Sequence, residues 1–82
     1  MTVQQTLVDR GADYGNFACR ARIEQALIET MECSGGWHRL TPAQKSAARM
    51  IAVKLSRILN CNPDHADSWH DIAGYAMLAG GE

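Results

Sequence analysis

Apolar residues recur with a helical period along three stretches of the chain. In the first stretch, residues 16–33, an apolar residue comes at nearly every fourth position, which is the spacing of one helix face. The stripe consists of Cys19, Ile23, Leu27 and Met31, widened by Ala26 and Ile28. Glycines are typical of the position just past a helix end, so the pair at 35–36 is expected to end this helix.

The second stretch predicts a helix over residues 42–59. Thr41 and Gln44 have the spacing of a capping box, and Pro42 stands at the first helical position. An apolar arc of about 140° follows at about 100° per residue; its members are Ala47, Ala48, Ile51, Ala52, Leu55, Ile58 and Leu59. The residues expected to point away are Lys45, Arg49, Ser56 and Arg57, and the apolar residues off the arc, on the face expected to be wet, are Met50 and Val53.

The third stretch predicts a helix over residues 65–79. Pro63 disfavours helix in the residue before it, Asp64 or Asp67 can cap the new helix, and two glycines at 80–81 end it. A helical wheel separates two faces. The face expected to be buried holds Trp69, Ile72, Ala73, Tyr75 and Ala76, and the other holds Asp67, Asp71, Gly74 and Leu78.

These patterns predict an all-α domain spanning residues 1–82, with three main helices behind an N-terminal arm and loop over residues 1–15. The arm can form a short helix over residues 1–9. The loop holds Arg10 and Tyr14 beside two glycines, and it can either cradle an anion through its backbone amides or fold back over the core. A chain of 82 residues buries a modest share of its surface, and Met50 and Val53 lie off the main arc, so a homo-oligomeric helical bundle is expected.

Charge and cysteine content narrow the classes of partner. The formal net charge is −1, whereas a protein that grips nucleic acid through its phosphates needs a basic face, so nucleic acid is not expected as a partner. No apolar run approaches the roughly 20 residues of a membrane-spanning helix, and no secretion signal opens the chain. Three cysteines without a C-x-x-C pair favour buried free thiols in the cytoplasm.

The candidate chemistry centres on Asp67 and Asp71. Spaced four apart on a helix, two carboxylates can share one divalent cation. The alternative is structural: Asp67 caps the helix, and Asp71 pairs with Lys54 or Arg57 of the second helix. Those two cations can instead hold a phosphate, although neutralising the acids is favoured. Gly74, in the middle of the third helix, costs about 1 kcal/mol relative to alanine, so some close approach is expected to use it.

Other groups of polar residues give weaker indications of a functional site. Glu29 and Glu32 share a face and can join an acidic cluster, or remain solvated surface. The histidines and cysteines match no zinc-binding spacing. Neither Cys61 nor Ser68 has the local signature of a nucleophile.

Three motifs resemble a family of small phage and prophage proteins of uncharacterised function. They are R-G-x-x-Y-G-x-F at 10–17, M-I-A-x-K-L-S-R-I-L at 50–59 and D-S-W-x-D-I-A-G-Y-A-x-L at 67–78. The last motif is more distantly similar to the final helix of MazG-like nucleoside triphosphate pyrophosphohydrolases. In those enzymes acidic residues on two helices hold Mg²⁺ against the substrate phosphates. The resemblance implies Asp67 and Asp71 as metal ligands, with Lys54 and Arg57 as phosphate contacts. Members of the phage family carry Glu where this chain has Arg49.

Two functions follow from the sequence and the resemblance. The favoured one is a phage-type accessory protein of the bacterial cytoplasm that performs no chemistry. It would bind a host protein or a nucleotide, and inhibiting a host defence system is one task for it. The alternative is a MazG-like pyrophosphohydrolase that depends on Mg²⁺. The missing acid at Arg49 favours the binding protein.

Overall fold

Three α-helices and one short 3-10 turn make up the regular structure of the region described by a computed structural model, residues 16–81. Helix α1 spans Phe17–Glu32, the 3-10 turn spans Trp37–Arg39, α2 spans Pro42–Asn60 and α3 spans Ala66–Gly80. The predicted all-α fold with three main helices is confirmed. The predicted arm and loop, including Arg10 and Tyr14, lie outside the described residues.

Local hydrogen bonds explain most of the helix ends. The Asn16 side chain accepts a hydrogen bond from the backbone N–H of Cys19 at 3.1 Å, so it caps α1. The predicted capping box is present at the start of α2, where Thr41 and Gln44 each accept a bond from the other's backbone N–H. Helix α3 ends at Gly81, whose φ of 77° is the left-handed conformation that glycine adopts without steric cost.

The start of α3 differs from the prediction. His65, and neither Asp64 nor Asp67, is the N-cap: its imidazole Nδ1 accepts a hydrogen bond from the backbone N–H of Ser68 at 3.3 Å. The connector explains the difference, because Asn62 Oδ1 already accepts the backbone N–H of Asp64 in a local turn. That turn places the following histidine, and not an aspartate, at the helix entrance.

Helix α2 is the central element of the described region. It packs against both α1 and α3, whereas α1 and α3 make no comparable contact with each other. The Asn60 side chain at the end of α2 donates a hydrogen bond to the Asn16 carbonyl at the start of α1, so these two helices run antiparallel. The arrangement within residues 16–81 is therefore an open layer of three helices, with α2 in the middle.

Burial along α2 follows the predicted arc only in part. Ala47, Ala52 and Ile58 are buried, but Leu59 is 64% exposed. Ser56, predicted to point away, is instead completely buried. Its hydroxyl donates to the Val53 carbonyl one turn earlier, and this local bond satisfies the hydroxyl without water.

Two further predictions about apolar positions hold only in part. Met50 and Val53 are half-buried, so the face that carries them is not fully wet. On α1, four members of the predicted stripe are half-buried, namely Ile23, Leu27, Ile28 and Met31, but Cys19 and Ala26 are exposed. Arg20 and Glu24 are partly covered instead. The Arg20–Glu24 ion pair, with an N–O distance of 2.7 Å, explains why these charged side chains tolerate that position. Cys19, Cys33 and Cys61 are free and all exposed, so the prediction of buried thiols is also wrong.

Candidate functional site

The face that α3 turns toward α2 is rotated from the predicted apolar face. The least exposed side chains of α3 form a stripe with helical spacing: Ser68, Asp71, Ile72, Tyr75 and Ala79. Ser68 alone is fully buried. Trp69 is 49% exposed, and Ala73 and Ala76 are exposed as well, although all three were predicted to be buried. Trp69 still has a local role, since its indole N–H donates to the Pro63 carbonyl at 2.7 Å and ties α3 to its connector.

One ion pair joins α3 to α2 at the edge of this stripe. Lys54 Nζ lies 3.0 Å from Asp71 Oδ2. The Lys54 side chain is 14% exposed, so most of its aliphatic stem is covered. Its ammonium contacts the carboxylate of Asp71, whose side chain is 41% exposed. The hydrogen bond from Lys54 and its positive charge, with smaller contributions from His70 and Arg57, lower the pKa of Asp71. The structural role predicted for Asp71 is present in this contact.

The other two residues of the predicted site, Asp67 and Arg57, each have their own surroundings. Asp67 lies exposed in the first turn of α3, where a carboxylate interacts favourably with the helix dipole. Arg57 is half-buried in the last turn of α2, and its charge helps to lower the pKa of Asp71. The structure therefore places Lys54 and Arg57 near the Asp71 carboxylate, with Asp67 one turn away along α3.

A glycine lies open to solvent beside that ion pair. A Cβ added to Gly74 would meet no atom within 4 Å beyond its own helix backbone. The close approach expected at Gly74 is therefore not made by a neighbouring helix of the described region. Leu78, one turn further on, is 78% exposed. We call the surface formed by Asp67, Asp71, Gly74 and Leu78 the Gly74 face.

The predicted acidic pair near the end of α1 consists of Glu29 and Glu32. Glu32 Oε2 accepts a hydrogen bond from the Arg49 guanidinium at 3.0 Å, and the same guanidinium lies 5.0 Å from the centre of the Trp37 ring. An open depression of about 360 Å³ is lined by Glu29 and Glu32 together with Gln25, Ile28 and Cys33. Arg49 thus neutralises one member of the acidic pair, and this contact is well removed along the chain from Asp71.

Mg²⁺ takes near-octahedral oxygen coordination. Within residues 16–81 no three of the histidine, cysteine, aspartate and glutamate side chains are grouped closely enough to hold a metal ion. Asp71 is engaged by Lys54 and Glu32 by Arg49.

Ser68 and His65 lie close together, but their geometry is that of a helix cap. Ser68 Oγ is 2.9 Å from His65 Nδ1, yet Ser68 is only 1% exposed. A substrate carbonyl has no access to a hydroxyl in that position, whereas the contact holds the cap in place.

Comparison with protein families matches residues 2–81 to the domain of unknown function DUF6378. The chain belongs to the DUF6378 family. The match includes the segment before α1 as well as all three helices. No curated protein and no solved structure matches the chain.

Two charged clusters of this DUF6378 chain were not anticipated from its sequence. Arg20 donates to Glu24 and also lies 3.4 Å from the buried Ser56 hydroxyl, so it links α1 to α2. Arg49 links the same two helices further along, through Glu32. The four-residue spacing of Arg20 and Glu24 was a usable signal, but Arg49 and Glu32 are brought together only by the tertiary fold.

No helix among the described residues meets the length and hydropathy of a membrane span.

Proposed function

We propose that this DUF6378 protein is a phage-type accessory protein that acts by binding, and that its Gly74 face docks on a host protein. The observation that carries this proposal is the position of Gly74, in the middle of an exposed helix surface with open space above it.

Glycine at position 74 lowers the stability of α3, and no contact with another element of the described region offsets this cost. A mid-helix glycine destabilises by about 0.5–1 kcal/mol relative to alanine. That cost is usually offset where another backbone or a ligand approaches closely, because no Cβ stands in the way. No atom of the described region beyond the backbone of α3 lies within 4 Å of a Cβ at this position. We therefore propose that a partner molecule makes the close approach.

The chemistry of the surrounding side chains favours a protein over a nucleotide. Leu78 offers a large exposed apolar contact, and the exposed carboxylate of Asp67 would repel phosphate groups. Lys54, which reaches this surface from α2, is already paired with Asp71. A partner with an apolar contact and a basic group fits this surface better than a triphosphate does.

The task of such a complex follows from the resemblance to phage and prophage proteins. We propose that the bound partner belongs to the host bacterium, with inhibition of a defence system as the consequence. We also propose that the working form is a homo-oligomer, since one copy of so short a chain supplies a small core.

The test is capture of a bacterial protein by the purified full chain, with two matched variants. Gly74→Arg places a long charged side chain in the centre of the face, and Gly80→Arg places the same side chain near the end of α3. Both glycines have open space around them. We expect one stoichiometric partner to be lost with Gly74→Arg and kept with Gly80→Arg. A partner captured equally by both variants contradicts the use of this face.

A nucleotide assay addresses the pyrophosphohydrolase alternative. The chain is incubated with each common NTP and dNTP and Mg²⁺, and pyrophosphate release is followed. We expect no turnover. Magnesium-dependent pyrophosphate release that disappears in a folded Asp71→Ala variant would replace the binding proposal with the enzyme.

A further inference from the structure

We draw no further inference here: the strongest candidate, the apolar surface of α2 between α1 and α3 that carries Ile51, Leu55 and Leu59, carries no proposal because nothing in the structure of residues 16–81 shows what covers it.

Discussion

Replacing Gly74 by alanine should make this protein more stable. The residue lies inside α3, its backbone has no positive φ, and a Cβ there meets no atom within 4 Å. The added methyl group therefore introduces no clash, and it removes conformational freedom from the unfolded chain. The expected gain in the free energy of unfolding is about 0.5–1 kcal/mol.

That gain corresponds to a measurable shift in the thermal midpoint. With an unfolding entropy of about 2.1 cal/mol/K per residue, a chain of 82 residues has a total of about 0.17 kcal/mol/K, so the midpoint should rise by about 3–6 °C. Circular dichroism at 222 nm follows the transition, with every variant at one protein concentration because association shifts the midpoint.

Gly81 supplies a control of opposite sign on the same helix. Its φ of 77° suits glycine, so Gly81→Ala should destabilise by about 1–2 kcal/mol. A Gly74→Ala protein that melts below wild type would show that something covers Gly74 in the native assembly, and the open geometry described above would be wrong. A stabilised Gly74→Ala protein that also captures less partner is the result that joins this prediction to the proposed function.

Three further predictions concern the ion pair, the cap and the helix contact. Because the pKa of Asp71 is lowered in the folded protein, its stabilising contribution is present above the ordinary pKa of 3.8 and is lost as pH falls through the lower folded value. The stability difference between wild type and Asp71→Asn should therefore shrink between pH 5 and pH 2 in urea titrations, and a difference that grows would contradict the contact. His65→Ala should cost about 0.5–2 kcal/mol in the same titrations, whereas His65→Asn should retain most of the cap. Ala52→Leu should cost about 1–3 kcal/mol by overpacking a residue that is 1% exposed; the same change at the exposed Ala43 should be nearly neutral.

The sequence predicted helix positions well because the signals that end helices are local. The capping box of Thr41 and Gln44 involves residues three apart, and it forms wherever the rest of the chain lies. Gly81 likewise ends α3 through its own backbone conformation. The N-cap of α3 was not predicted, because the path of the connector decides which of several polar residues stands at the helix entrance.

The rotation of each helix was harder to predict than its length. Periodicity favoured the face of α3 with Trp69, but the observed contact face is centred nearer Ser68. A helical wheel weighs side chains by hydropathy, whereas a helix contact also depends on how closely the backbones approach. The wheel therefore assigned Trp69 to the contact face and Ser56 of α2 to solvent, but Trp69 is 49% exposed and Ser56 is buried.

The part of the candidate site that the sequence predicted is the ion pair between Lys54 and Asp71. Lys54 and Asp71 project toward one another from adjacent helices, and the Lys54 side chain is only 14% exposed, so it benefits from a carboxylate within reach. Arg49 and Glu32 gave no comparable signal, since both are largely exposed and either one can be solvated without a partner.

The two buried serines show that the helix contacts of the described region include small polar side chains. Ser56 lies at the α1–α2 contact, where Arg20 reaches it, and Ser68 is the fully buried residue of α3. Each hydroxyl finds a local partner, the Val53 carbonyl for Ser56 and the His65 imidazole for Ser68, so burial leaves neither unsatisfied. Leu59 of α2, a larger apolar residue, is 64% exposed instead. Hydropathy alone therefore does not select the contact faces, because a small polar side chain that is satisfied locally is buried without cost to its hydrogen bonding.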